Sequence, residues 1–280
     1  MHYCLGIGVV QDKENKQIWL HQGQYTFGQT EAKTVSTPAD LNVKLEKNDG
    51  VSKTVDPTQY QSIVGSLLYA AIATRPEITQ AVGVVSKFCE SPTEAHLTAA
   101  KRILRYLKRP ADLGLKYTMS DNGTLIGYSD ADWAGDLDDR HSTSGNMFML
   151  AKGAVRWLSK KQATVVISTT EAEYVALSVA TQEAIWLRRL LADIGMPLEE
   201  PTVIHEDNQG AIALARNPVA HARTKYIDIF YFIREGIQNG AIDLKYVTTN
   251  EIVADILTKP RPKHRFEKLL HSFGVETVQY

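Results

Sequence analysis

Residues 125–136 read Leu125-Ile126-Gly127-Tyr128-Ser129-Asp130-Ala131-Asp132-Trp133-Ala134-Gly135-Asp136. The run alternates as a strand does. Ile126, Tyr128 and Asp130 share one face, and Leu125, Gly127 and Ser129 share the other. An ionised carboxylate closing an apolar strand is costly unless something pairs with it, and a metal ion is the usual partner. Three more carboxylates stand in comparable settings: Glu173 at the start of a long helical pattern, Asp207 after an apolar run, and Asp255 near the C-terminus.

Working outward, Asp121-Asn122-Gly123 is a turn signal and a domain boundary. Residues 144–150 and 155–158 read as strands, and the link Ala151-Lys152-Gly153 makes them a hairpin, so three antiparallel strands are predicted. A helix is predicted over 170–194, stopped by Gly195 with Pro197 beyond. A strand over 202–206, a short helix over 211–215, a helix over 225–238 ended by Gly240, a strand over 242–247 and a short helix over 253–258 follow. Strands succeeded by helix–strand alternation predict an α/β fold, a mixed sheet with helices on its faces.

Each acid has a plainer reading beside the metal-binding one. Asp130 reads as a turn or cap residue, but Trp133, Gly135 and further acids interrupt any helix after it. Asp132 falls beyond the predicted strand. Thr170-Glu171-Ala172-Glu173 is a capping box in which Glu173 serves a backbone N–H. Against this, Leu177, Ala180, Ala184, Leu187, Leu191 and Ile194 form one stripe, and four residues back from Leu177 lies Glu173. That places Glu173 on the packed face and turns Glu171 away. Asp207 reads as a helix N-cap, or as a ligand at the C-terminal edge of a sheet. Asp255 reads as an exposed acid on a short helix with Glu251 one turn earlier. The four offer only oxygen, with no cysteine or histidine cluster, which suits two Mg²⁺ or Mn²⁺ ions. Two such ions sit about 3.5–4 Å apart in phosphodiester-cleaving sites. Without them the acids would repel and raise one another's pKa.

The other half of the chain is of a different kind. Residues 5–10 and 17–22 are extended runs around the turn Asp12-Lys13-Glu14-Asn15, a predicted β-hairpin. Residues 28–56 are polar and read as a linker. Helices are predicted from Pro57, from Pro76 through Phe88, and from the box Ser91-Pro92-Thr93-Glu94. On the third, Leu97, Ala100, Leu104 and Leu107 line one face. Lys101, Arg102, Arg105, Lys108 and Arg109 line another, either a solvated face or a rail for phosphates. The net charge of −1 makes any nucleic-acid surface a local patch. An apolar content of 44% supports a real core. Two isolated cysteines, Cys4 and Cys89, exclude a disulfide scaffold and suit an intracellular, reducing compartment. No run has the length of a membrane span, so no membrane partner is expected. The opening, Met1 to Ile7, is already strand-like and suggests a piece of a longer chain.

With these residues in hand, the chain resembles the C-terminal part of the Pol polyprotein of copia-type LTR retrotransposons. The strings that carry it are G-Y-S-D-A-D-W-A-G-D from Gly127, D-D-R-H-S-T-S-G from Asp138, W-L-S-K-K-Q from Trp157, and S-T-T-E-A-E-Y-V-A-L from Ser168. E-A-I-W-L-R-R-L-L from Glu183, E-D-N-Q-G-A-I from Glu206 and V-A-D-I-L-T-K-P from Val253 continue it. Upstream, V-S-T-P from Val35, Y-Q-S-I-V-G-S-L-L-Y from Tyr60, T-R-P-E-I from Thr74 and A-A-K-R-I-L-R-Y-L-K from Ala99 resemble a reverse transcriptase's thumb and connection. The resemblance implies a reverse transcriptase remnant at 1–56, a helical thumb/connection-like region at 57–120, and a ribonuclease H domain at 121–280 with a five-stranded mixed sheet.

It also implies a metal-dependent endonuclease cutting the RNA of RNA–DNA hybrids. Asp130, Glu173, Asp207 and Asp255 would be the catalytic, metal-binding acids, and the rest of the polyprotein a partner. His221, Arg223 and Lys225, from the family's H-x-R-T-K-H string, would touch nucleic acid, or form a plain polar loop. The chain departs from the family in four places. It lacks the polymerase's Y-x-D-D turn, keeps only Thr26 and Phe27 between Tyr25 and Gly28 where the family has a longer helical segment, has Tyr226 where the string has its second histidine, and has no histidine between Tyr231 and Phe232. Two other functions fit the same residues: a nucleic-acid-binding remnant that does not cut, and a transposase or integrase of the same fold.

Overall fold

The turn at Asp12 closes because its Oδ1 accepts the Asn15 N–H at 3.0 Å. The computed structural model describes residues 2–23, 33–47, 50–108, 113–119, 123–217 and 227–279, with side chains in the last stretch from 232. Around that turn β1 (His2–Cys4), β2 (Ile7–Asp12) and β3 (Gln17–His21) pair antiparallel. Then come α1 (Pro57–Ala73), a 3-10 turn (Pro76–Ile78), α2 (Thr79–Ser86) and α3 (Glu94–Lys108). Asp56 caps α1 by accepting the Thr58 N–H at 2.9 Å, with Pro57 in the first turn as expected. The third helix starts later than predicted. Ser91 and Pro92 stay outside it, and the Thr93 N–H instead donates to His96 Nδ1 at 3.0 Å. His96 is fixed for this by stacking on Phe88.

β4 (Leu113–Thr118) returns to pair with β3. The meander follows as expected, as β5 (Ile126–Asp132), β6 (Thr143–Leu150) and β7 (Gly153–Lys161), all antiparallel. Ala151 and Lys152 both take positive φ, 51° and 63°, the backbone a two-residue hairpin requires. Next come α4 (Thr169–Asp193), β8 (Thr202–Glu206), α5 (Gln209–Arg216), α6 (Ile227–Gln238) and β9 (Ile242–Tyr246). The sheet order is β7-β6-β5-β8-β9, with β5–β8 and β8–β9 parallel. This is the predicted α/β arrangement, a five-stranded mixed sheet. Leu177, Ala180, Ala184, Leu187 and Leu191 of α4 bury against Phe148 and Ile204 of that sheet. Ile194, the last residue of the expected stripe, is exposed, because the helix has ended at Asp193 and Gly195 turns the chain at φ 82°.

Four features were not read from the sequence, β4 among them. β5 runs through Asp132, which was expected beyond the strand. After a 3-10 turn (Val253–Leu257) come a further helix, α7 (Lys263–Ser272), and a last strand, β10 (Val275–Thr277). β10 joins the first sheet, whose order is β1-β2-β3-β4-β10. Gly274 makes this return possible. Its φ is 80°, and a Cβ there would meet Gly153 Cα and two carbonyl oxygens at 2.9 Å.

Apolar packing continues across 120/121. Leu67, Ile78, Leu104 and Leu107 of the helical region share one apolar cluster with Met147, Leu257, Phe266 and Phe273. Among the described residues no helix is long and apolar enough to cross a membrane.

Polar contacts reinforce the joint. Trp157 Nε1 donates to the Ala71 carbonyl at 2.8 Å. Asp136, just after β5, receives Lys87, the C-cap of α2, at 2.6 Å and Lys161 of β7 at 3.1 Å. Burial alone would raise the Asp136 carboxyl, but the two lysines outweigh it and hold it at about 2, below its ordinary 3.8. The stability this adds is present above pH 3.8 and is lost as the pH falls through about 2. Asp136→Asn is expected to cost about 1.5–3 kcal/mol in urea unfolding at pH 7. The cost should shrink as the pH is lowered from 4 toward 2, and a pH-independent cost would contradict the clamp.

Candidate active site

Parallel pairing of β5 with β8 brings two strand ends together, because Tyr128 sits opposite His205. Two residues on in each strand direction lie Asp130 and Asp207. α4 crosses the same sheet and brings Glu173 at the start of its second turn. Each of the three offers a carboxylate oxygen, and these atoms lie within 4.8 Å of one another. Asp130 and Glu173 are buried and Asp207 is half-buried.

The local sequence explains why these side chains are free to gather. The capping box of α4 is not the one expected. Ser168 Oγ accepts the Glu171 N–H at 3.2 Å, and Glu171 Oε2 accepts the Ile167 N–H at 2.8 Å. The box lies two residues earlier and uses Glu171, which leaves Glu173 on the packed face. Asp207 is likewise spared capping, since Asn208 caps α5 by accepting the Ala211 N–H at 3.0 Å.

Several supporting residues escaped the sequence reading. Glu206 is wholly buried beside the group; one oxygen accepts the Asn208 N–H at 3.1 Å. Thr258 Oγ1 donates to Asp130 Oδ2. The 3-10 turn bearing Thr258 lies close on β6 at Gly145, where a Cβ would meet Thr258 Cγ2 at 2.7 Å and the Ala254 carbonyl at 3.0 Å. Gln162 Nε2 donates to Ser144 Oγ and to the Ala172 carbonyl, both at 2.9 Å, and so ties the first turn of α4 to β6. Gln162 and Thr258 stand inside the strings W-L-S-K-K-Q and V-A-D-I-L-T-K-P, but nothing local to those strings says whom they touch.

The structure does not bring Asp255 into the three-acid group. It is wholly buried and paired with Arg261 and with Arg265, the latter at 2.7 Å. Of the basic residues predicted on α3, Arg102 is engaged by Asp40 and Thr37, both at 3.2 Å. Lys101 and Arg105 are half-buried and Lys108 is exposed. Arg109, His221, Arg223 and Lys225 lie outside the described residues.

Gathering acids in a dry place has the expected electrostatic result. Burial, set partly against Lys259, pushes Asp130 up to about 7 from 3.8, with Asp255 and Asp207 adding to the rise. Burial raises Glu173 further, helped by Glu206, Asp130 and Asp207. Burial also holds Glu206 well above the ordinary carboxylate range. Glu173 Oε2 and Glu206 Oε2 are buried acceptors with no hydrogen-bond partner among the described residues. A hard divalent cation fits this donor set, all oxygen and all repelled by one another.

No family model matches the chain. It is 42% identical over 285 residues to the retrovirus-related Pol polyprotein from transposon TNT 1-94 of Nicotiana tabacum, covering 98% of this chain and 21% of that protein. It is 42% identical over 287 residues to the corresponding polyprotein from transposon RE1 of Arabidopsis thaliana, covering 99% of this chain and 19% of that protein. The chain thus spans about a fifth of the length of these curated relatives. Among solved structures, LC11 ribonuclease H1 isolated from compost is similar over 53% of this chain and 99% of its own, at 16% identity and a TM-score of 0.39.

The raised carboxyls set a sign for stability. Folded Asp130 keeps a proton that the unfolded chain releases, so its contribution is present below pH 3.8 and lost as the pH rises through about 7. In chelator at pH 8, Asp130→Asn should therefore be more stable than the parent. At about 1.4 kcal/mol per pH unit over the roughly three units between the two values, the gap is on the order of 4 kcal/mol. Thermal or urea unfolding should show it closing toward pH 4. A variant less stable than the parent at pH 8 would contradict this account.

Proposed function

The chain belongs to the retrovirus-related Pol polyproteins of copia-type transposons, and from that premise we propose that its ribonuclease H-like part cuts the RNA strand of RNA–DNA hybrids. The observation that carries the reading is the cluster of Asp130, Glu173 and Asp207, with oxygens within 4.8 Å and two of the three buried. When bound there, divalent cations such as Mg²⁺ or Mn²⁺ supply an activated water and a clamp on the leaving oxygen.

The protein's own contribution is to hold and orient. Asp130, Glu173 and Asp207 would be the ligands, and Asp255 a fourth. Thr258 fixes the rotamer of Asp130 through its hydroxyl. Gln162 fixes the turn that carries Glu173. The packing of α4 on β5 and β6 keeps that turn dry. A hybrid is recognised through its backbone, groove shape and 2′-OH groups rather than its bases, so no base-reading element is required. Lys101, Arg105 and Lys108 on the outer face of α3 are proposed to follow phosphates. With no Y-x-D-D turn in the chain, primer extension is left to the rest of the polyprotein.

The test is cleavage of matched RNA–DNA, DNA–DNA and RNA–RNA duplexes, with Mg²⁺ and with EDTA. The parent should cut only the RNA of the hybrid, and only with the metal. Cutting of the DNA duplex would favour the transposase reading, and binding without cutting would favour a remnant that only binds. The sharpest variants are neighbours in one helical turn. Glu173→Gln should lower hybrid cleavage by about a hundredfold or more, since even residues that merely support a ligand cost 10–100-fold. Glu171→Gln keeps an acceptor for the Ile167 N–H, so it should cleave like the parent and differ in stability by about 0.5 kcal/mol at most. The reverse outcome would displace the site.

A further inference from the structure

Asp255 is the buried acid that the three-carboxylate group leaves out, and both its oxygens are taken by cations downstream. Arg261 Nη2 pairs with Oδ1, and Lys259 Nζ lies 3.6 Å from the same oxygen. Arg265 holds Oδ2 from Nε at 2.8 Å and from Nη2 at 2.7 Å. The two arginines are not equivalent. Arg265 is anchored elsewhere too, to Asn250 Oδ1 at 2.9 Å and to the Thr249 carbonyl. Arg261 has no hydrogen-bond partner but Asp255 among the described residues, and its Nε is buried without one. Its backbone lies between Pro260 and Pro262, outside any helix or strand.

We propose that Arg261 is a latch on Asp255. The proposal rests on the metal-dependent reading above and specifies how that site fills. Asp130, Glu173 and Asp207 take a first divalent cation unaided. Asp255 becomes a ligand for a second only when Arg261 gives up Oδ1, because a carboxylate oxygen committed to a guanidinium has little charge left to offer a metal. A guanidinium fork fits phosphate oxygens as well as it fits a carboxylate. A phosphodiester of the bound nucleic acid is therefore the chemistry that can take Arg261 in exchange. Arg265, held by Asn250 and Thr249, stays in place and keeps Asp255 from swinging out. Arg261 is thus a positioning residue, acting on the metal site through Asp255.

The test counts Mn²⁺ ions on the full chain without nucleic acid, by the electron paramagnetic resonance signal of free Mn²⁺. The parent should bind one ion in the range where Arg261→Leu binds two. The second ion's half-saturation should fall by about tenfold or more, the scale of one lost charge-assisted hydrogen bond. Arg261→Gln should behave as Arg261→Leu does, which guards against a folding defect in the leucine variant. Adding Asp255→Asn to Arg261→Leu should return the count to one. Two ions on the parent with the variants' affinity, or one ion on parent and both single variants alike, would overturn the latch while leaving the metal site intact. No ion on the parent would overturn the metal site itself, and with it both proposals.

Discussion

Several carboxylates that water would keep apart are held together at one end of a sheet, and much of the surrounding structure serves to hold them there. Asp130, Glu173 and Glu206 are each buried, and Asp207 sits at the rim. Their mutual repulsion and lost hydration work against the fold wherever they are ionised. The opposing force is apolar packing around them. Phe148, Ile204 and Leu177 close one face of the sheet, and Met147, Leu257 and Ile256 close the other. Neither face could drift without separating a carboxylate from its neighbours.

This dependence explains why the helical region and the sheet region are not independent. The 3-10 turn that brings Thr258 to Asp130 belongs to the same apolar cluster as α1, α2 and α3. The chain then continues through α7 into β10, the edge of the first sheet. Tyr117 of β4 donates to the Ala154 carbonyl at 2.7 Å, and the Ala154 N–H donates to the Phe273 carbonyl at 3.1 Å. The site is thus braced from a sheet that contributes no acid to it. A site braced in this way would feel changes made far from its acids.

Much of this was legible in local pattern. Strand alternation put Asp130 on a defined face, and the three-and-four spacing of α4 separated Glu173 from Glu171. What the pattern could not show was of four kinds. Glu206 follows Ile204 on the inward face of β8, where alternation predicts an apolar residue, and only the site beside it explains a carboxylate there. The caps of α3 and α4 differ from the expected boxes because tertiary contacts decide them: Glu171 rather than the buried Glu173 serves α4, and His96, stacked on Phe88, accepts the Thr93 N–H just ahead of α3. The partners of Asp255 come from Arg261 and Arg265, around two prolines where no periodicity survives. β10 is three residues long, and its partner β4 is about 160 residues earlier, as the Lys116–Glu276 pair across the same strands shows.

The central claim is that these acids are gathered for a divalent cation. Anomalous scattering from a crystal of the full chain grown with Mn²⁺ tests it most directly, because it locates the ion without reference to activity. The account predicts a peak bridging the carboxylates of Asp130, Glu173 and Asp207. A map with Mn²⁺ only at surface acids, and with those three carboxyls bonded to one another or to protein cations, would contradict it.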